Sequence, residues 1–365
     1  MSGTSEPAAA YADLAVGDPA PWFHQRTTRN PRYAFDMVAG RYVVLCFHAT
    51  AGDAAGRAAI DAVLANRRLF DDDRACFFGV SLDPADEAEG RVGDSLPGIR
   101  FFWDFDGSVS RLYGALPKDA APAPAASRRF WMVLDPTLRI LQVVPFAADG
   151  GDAAAVFAFL ERLPPPERFA GIDLQAPILF LPNVLEPALC ARLIDLHRRH
   201  GGEESGFMRD IDGRTVRLLD HGHKQRRDHA IEDPALLRTL DARLGRRVFP
   251  EILKIHSFRV TRIERHIVGC YSAAEGGHFR PHRDNTTRAT AHRRFAVSVN
   301  LNDDFEGGGV SFPEYGPRRF SPPTGGALVF PCALMHAVSP VTKGSRFAFL
   351  PFLHDDQALR LNRKS

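Results

Sequence analysis

His282 and Asp284 stand one residue apart in the run GGHFRPHRDN, residues 276–285. On an extended strand alternate side chains project to the same face, so this spacing sets an imidazole beside a carboxylate. A third potential ligand, His336, opens a later strand-like run, and Arg346 is expected on the next one. Two imidazoles and one carboxylate on one side of a divalent ion leave the opposite side open, the arrangement iron(II) uses when a cosubstrate and oxygen must both be seated. A structural zinc site would close its fourth position with protein. An open site implies reactivity. The His-x-Asp pair by itself is weak, because a chain with 14 histidines contains such pairs in surface and capping roles. The weight lies in the ensemble of pair, distant histidine and strand-borne arginine.

Positioning these residues requires a succession of short strands. FAVSVNL (295–301), GVSFP (309–313), GALVFP (326–331), HAVSPV (336–341) and RFAFLPF (346–352) are separated by Gly, Pro, Asn and Asp clusters, the pattern of an antiparallel sandwich or barrel. Helical stretches precede them at 186–200 and near 234–253. Earlier in the chain the rhythm differs. Apolar runs at 42–47, 75–82, 130–136 and 138–146 alternate with helical composition at 54–70 and 153–163, which predicts an α/β fold. Between the two patterns lies RLPPPERFAGIDLQ, 162–175, which breaks both helix and strand. The expected organisation is therefore a first domain over 1–161, a linker over 162–175 and a second domain over 176–365. An alanine- and proline-rich stretch at 117–127 reads as a surface loop.

The 365 residues are 45% hydrophobic and 25% charged, an ordinary globular profile, and a net charge of +2 points to neither a nucleic-acid nor a membrane partner. The first residues, MSGTSEPAAAYADL, lack the apolar core of a secretory signal. Cys46, Cys76, Cys190, Cys270 and Cys332 are odd in number and mostly set in apolar stretches, so reduced buried thiols and a cytoplasmic location are expected.

The segments YSAAEGGHFRPHRDN (271–285), FAVSVNLNDDFEGGGVSFP (295–313) and GGALVFPCALMHAVSPVTKGSRFAFLPF (325–352) resemble the double-stranded β-helix (jelly-roll) oxygenases that depend on Fe(II) and 2-oxoglutarate, in particular their prolyl 4-hydroxylase-like branch. The resemblance runs from about residue 176 to the end. It implies that His282, Asp284 and His336 are the iron ligands, that Arg346 grips the distal carboxylate of 2-oxoglutarate, and that Tyr271 assists cosubstrate binding. It also implies O2 as a substrate, release of succinate and CO2, L-ascorbate as a reductant, and hydroxylation of a protein or peptide residue, proline among them, or of a small metabolite. Relatives tend to carry an acidic residue where this chain has Gly309, which bears on substrate more than on reaction. His278, Arg280 and Asn285 flank the ligand strand, either at the substrate mouth or as solvated loop residues.

Residues 14–160 resemble the thioredoxin fold of the peroxiredoxin (AhpC/TSA-like) group through LAVGDPAPWF, RYVVLCF, FFGVSLD, FWDFDGSVSRLYGAL and RRFWMVLDP. Together the two resemblances imply an α+β multidomain chain. The peroxiredoxin group needs a thiolate at the start of the helix after the first central strand, where the helix dipole lowers its pKa. HATAGDAAGRAAI (48–60) has no cysteine there. Cys46 and Cys76 read as core residues, so the first domain is expected to be redox-inactive and to serve as a partner-recruiting, ligand-binding or stabilising module. Two other functions stay open: a ligand- or oxygen-sensing binding protein, and an unconventional thiol peroxidase.

Overall fold

The computed structural model describes residues 11–119, 124, 127–211 and 213–362. The first ten residues and much of the 117–127 stretch lie outside them. The chain divides into two compact units, Met1–Leu174 with Glu314–Gly316, and Gln175–Pro313 with Pro317–Ser365.

In the first unit, β1 (Tyr42–Ala49), β2 (Ala75–Ser81), β3 (Ile99–Trp103), β4 (Phe130–Leu134) and β5 (Ile140–Pro145) form one sheet of order β3-β2-β1-β4-β5. β1 pairs parallel with β2 and antiparallel with β4. Every residue of β1 and β2 is buried, which explains why both read as continuous apolar runs instead of alternating ones. Helix α1 (Ala54–Ala65) starts at Asp53, whose carboxylate accepts the Gly56 amide at 2.9 Å. Helix α2 (Gly151–Arg162) buries Ala153, Val156, Phe157 and Leu160, one helical stripe, in the core with Val44, Phe77 and Trp131. Strand β3 escaped the sequence reading because IRFFW is a short apolar run with no period to classify it.

In the second unit, α3 (Pro187–His200), α4 (Pro234–Arg247) and α5 (Phe249–His256) supply Leu193, Leu236, Leu240, Leu244 and Ile252 to a core shared with Val268, Val297 and Phe347. The helix expected near 234–253 is two helices. Pro250 has no N–H for the turn before it, so one helix ends and the next begins there.

Strands β6 (Lys224–Gln225), β7 (Arg227–Ala230), β8 (Ile267–Ser272), β9 (His278–His282), β10 (Phe295–Asn300), β11 (Val310–Ser311), β12 (Arg319–Phe320), β13 (Ala327–Pro331), β14 (His336–Val338) and β15 (Ser345–Phe349) build two antiparallel sheets. A five-stranded sheet has the order β6-β9-β14-β11-β12, and β7, β8, β10, β13 and β15 belong to a nine-stranded one. Phe279 and Val338 of the small sheet pack with Tyr271 of the large one. That contact closes a two-layer sandwich, and the chemistry-bearing residues lie in its interior.

Candidate metal centre

His282 closes β9 and His336 opens β14, and the two face each other in register across the small sheet. Their ring centroids are 4.2 Å apart. Asp284 differs from expectation. It lies in the turn after β9 ends, not on the strand, and its amide donates to the Cys332 carbonyl at 2.9 Å. That hydrogen bond aims its carboxylate at both imidazoles, with Oδ1 3.6 Å from His282 Nε2 and Oδ2 3.4 Å from His336 Nε2. One ligand atom from each of the three residues lies within 4.8 Å of the others.

The tautomers follow from the neighbours. His282 Nδ1 is 2.8 Å from the Arg280 carbonyl and His336 Nδ1 is 3.0 Å from the Leu334 carbonyl. A carbonyl can only accept, so each Nδ1 carries a hydrogen, and in the neutral ring Nε2 is the atom whose lone pair faces Asp284. Burial pushes the His282 imidazolium down to about 4, with His336 adding to the effect, so the ring is neutral near pH 7. Burial would raise the Asp284 carboxyl, but His336, His282 and Arg293 outweigh it and hold it below the ordinary carboxylate range. Two imidazole nitrogens and an ionised carboxylate fit a divalent ion that keeps open positions.

Residues 267–354 match the family model of the 2OG-Fe(II) oxygenase superfamily. This region forms a 2OG-Fe(II) oxygenase domain. A PKHD-type hydroxylase of Verminephrobacter eiseniae is 30% identical over 128 residues, 33% of this chain and 48% of that protein. The chain thus spans about half the length of that relative. Among solved structures, a prolyl hydroxylase of Trichoplax adhaerens in complex with a hypoxia inducible factor peptide is 16% identical with a TM-score of 0.39, covering 53% of this chain and 93% of that one. The peroxidoxin BcpB of Mycobacterium tuberculosis is 21% identical with a TM-score of 0.35, covering 42% of this chain and 99% of that one.

In the oxygenase domain, Arg346 is not on the strand after His336 but on the following one, β15, beyond a short strand at Val341–Lys343. It is fully buried and pairs in register with Tyr271 on β8. Arg346 Nε donates to Asn300 Oδ1 at 3.0 Å and Nη2 to Ser298 Oγ at 2.8 Å. No carboxylate of the described residues pairs with it, and burial, with Arg226 nearby, pulls its pKa below the ordinary guanidinium value against the opposing effect of Tyr271. A buried guanidinium held by neutral groups is an anion receptor. The Tyr271 hydroxyl accepts from Arg226 Nη1 at 3.1 Å, and Arg226 is held by Asp228 through contacts of 2.6 and 2.7 Å.

Ser298, Asn300, Lys224 and Arg226 did not emerge from the sequence. Ser298 and Asn300 were visible as polar interruptions, two apart, in an otherwise apolar strand. Lys224 and Arg226 sit in KQRRDH, and such a charged run ordinarily marks a solvated surface. His278 and Arg280 alternate with inward-facing Phe279, with Arg280 exposed, and Asn285 is in the turn beside Asp284. At Gly309 an added Cβ would come within 3.1 Å of the Arg319 side chain, so a larger residue there would require β12 to give by a few tenths of an ångström.

All five cysteines are free and buried. Burial pushes the Cys76 thiol up to about 12 and the Cys46 thiol well above its ordinary value. Thiolates are disfavoured at both positions.

Proposed function

We propose that the chain is an Fe(II)- and 2-oxoglutarate-dependent hydroxylase acting on a protein or peptide residue, proline among the candidates, or on a small metabolite, with L-ascorbate as a reductant. The reading rests on one observation: the convergence of His282 Nε2, His336 Nε2 and the Asp284 carboxylate, with each Nδ1 tied to a backbone carbonyl. These three residues hold the iron. Bound there, Fe(II) with 2-oxoglutarate and O2 supplies the oxidising power to put a hydroxyl on a substrate carbon, giving succinate and CO2.

The protein's part is placement. Arg346, steadied by Ser298 and Asn300, takes the distal carboxylate of 2-oxoglutarate through two parallel hydrogen bonds, and Tyr271 borders that carboxylate. Phe279, stacked on the His282 ring at 3.4 Å, covers one side of the ligand and excludes water from it.

The same proposal takes the segment 1–161 as a thioredoxin-like module without thiol chemistry and 176–365 as the oxygenase domain. Asp53 stands at the helix start where a reactive thiol would be required, and its carboxylate is paired with Arg129. The module's role is contact with a protein partner. The test is anaerobic binding of Fe(II) and 2-oxoglutarate to the full chain, then aerobic succinate release across a substrate panel. Stoichiometric, mutually dependent binding followed by turnover is expected; failure to bind 2-oxoglutarate with the metal present overturns the reading.

A further inference from the structure

Lys224 is an unusual residue to find in the interior of a sandwich. Its strand, β6, pairs with β9 so that Lys224 lies opposite Phe279, and directly paired residues of antiparallel strands share a face. Phe279 stacks on the ring of His282. Lys224 therefore points to the same interior as the metal-binding residues, one aromatic ring away from His282. The side chain is 5% exposed.

Its ammonium has three N–H bonds. One reaches Ser205 Oγ at 2.7 Å and another the Gly206 carbonyl at 2.7 Å. The ammonium also lies 4.8 Å from the centre of the Phe279 ring. No carboxylate of the described residues is within ion-pair distance of it. Burial pushes its pKa well below the ordinary lysine value, with Arg226 adding to the effect and the carboxylates of Asp228 and Asp284 opposing it.

The neighbouring carboxylates are already committed, and the buried Arg265 adds a second positive field to that of Arg226. Asp228 is held by Arg226 through two short contacts, Asp284 faces the two imidazoles, and Arg346 serves the cosubstrate in the proposed function. Lys224 is left with a hydrogen bond to give and no carboxylate in ion-pair contact among the described residues, linked to Asp228 only through the Ser205 hydroxyl; burial disfavours its charged form, and an anion beside it would restore that form. The approach to it is aromatic and basic. His223 packs against Phe207 at 4.5 Å and Phe279 at 5.5 Å. Its imidazolium is disfavoured by burial first, with Arg280, Arg209 and His278 adding to the effect and Asp220 opposing, so two arginines act on this side chain.

We infer that Lys224 receives a carboxylate of the substrate, so that the enzyme selects molecules bearing an acidic group close to the carbon it hydroxylates. Phe207, His223 and Phe279 would flank the uncharged part of such a substrate, and the ammonium would fix its reach toward the metal. This inference rests on the hydroxylase reading. The carboxylate could belong to an aspartate or glutamate side chain in a peptide or to a free amino or carboxylic acid.

The test uses the full chain loaded with Fe(II) and 2-oxoglutarate. Two sets of matched probes are compared: proline peptides carrying Asp or Glu beside the proline against their Asn or Gln counterparts, and free amino acids against their carboxamides. Succinate release gives kcat/KM, and equilibrium binding to the Mn(II)-loaded, anaerobic protein gives affinity without turnover. In the wild-type protein the carboxylate of at least one set is expected to exceed its amide by about ten-fold or more in both readouts, on the scale of a charge-assisted hydrogen bond. The set that shows the preference identifies the source. Lys224→Met should collapse the preference, and Lys224→Arg should restore part of it. If Lys224→Met fails to fold, Ser205→Ala, which frees the ammonium from one anchor, should alter the carboxylate-to-amide ratio while leaving Lys224 in place. A wild type that treats acid and amide alike or binds neither set, or a preference unmoved by Lys224→Met, overturns the inference. Absence of any 2-oxoglutarate binding in the wild type sinks the hydroxylase reading instead.

Discussion

The two units treat a polar constellation in opposite ways. In the second, the donors of His282, Asp284 and His336 converge with their lone pairs turned toward one another, and their hydrogens are spent on backbone carbonyls. In the first, the corresponding opportunity is closed from within: Asp53 caps α1 and pairs with Arg129 at 2.5 and 2.7 Å, while Cys46 and Cys76 are sealed in the sheet. A site that must accept something keeps its donors turned toward an unfilled centre, whereas at the start of α1 the carboxylate is already engaged by the Gly56 amide and Arg129. The contrast supports the proposed division between an oxygenase domain and a module without thiol chemistry.

The contrast breaks most severely if a donor of the converging set can be lost without effect. His282→Ala should reduce succinate release by more than about 100-fold, since even residues that only orient ligands are worth 10- to 100-fold. Binding of Mn(II) followed by paramagnetic relaxation should fall in parallel. Folding is expected to survive, because removing the ring deletes a buried polar group and its partner Arg280 carbonyl belongs to a strand end near solvent.

Next in size is Arg346, the buried cation proposed to bind the cosubstrate. Arg346→Met removes a buried guanidinium with no carboxylate partner of its own, so its loss is felt when the ligand binds. Truncating one member of a buried, hydrogen-bonded charge pair costs about 2 kcal/mol or more. The KM for 2-oxoglutarate should therefore rise about 30-fold or more, with a smaller change in metal affinity. A variant whose metal affinity falls while its KM for 2-oxoglutarate stays constant would place Arg346 in the wrong role.

The convergence of several residues was readable from the sequence alone, and the failures are instructive. His282, Asp284, His336 and Arg346 were legible because chemistry demands particular side chains and because strand-like runs surround them. The strand expected to carry Asp284 ends two residues too early, since its placement depends on a hydrogen bond to Cys332, distant in sequence. Lys224 and Arg226 were invisible for a similar reason. A basic run is usually solvated, and only the pairing of β6 with β9 turns Lys224 inward. Long-range register, unlike local periodicity, leaves no mark on a short segment. Strand β3 was missed for want of a period, and Pro250 split a helix whose apolar pattern continues across it.

The first unit has its own pH signature. His48, at the end of β1, is fully buried, and burial lowers its pKa to about 4 against the partly compensating carboxylate of Asp86. The ordinary value is 6.5, so between pH 6.5 and 4 the unfolded chain binds a proton that the folded chain does not. Stability then increases with pH in that window and is lost as pH falls through it, on the order of 3 kcal/mol in total. Trp22, Trp103 and Trp131 are the chain's three tryptophans and all lie in this unit. Urea unfolding followed by tryptophan fluorescence at pH 7 and pH 4.5 should show the drop, and His48→Gln should flatten it. An unchanged slope in that variant would assign the pH dependence to other groups.

The smallest expected effect separates the two duties of Asp53. As the cap of α1 it accepts the Gly56 amide, a contribution of about 1 kcal/mol. As the partner of Arg129 it forms an ion pair whose acidic member is 45% exposed, so solvent screening limits that contribution to below about 1 kcal/mol. Its carboxyl is held at about 2, by the Arg129 hydrogen bond first and the helix amides after it, with burial opposing. Asp53→Asn keeps an acceptor for the helix and removes the charge, and Asp53→Ala removes both. The alanine variant should lose about 1–2 kcal/mol and the asparagine variant less than about 1 kcal/mol. Only the asparagine deficit should shrink toward zero in 1 M salt, where charges are screened within about 3 Å. Equal losses in both variants that shrink alike in 1 M salt would mean that the ion pair rather than the cap is the structural element.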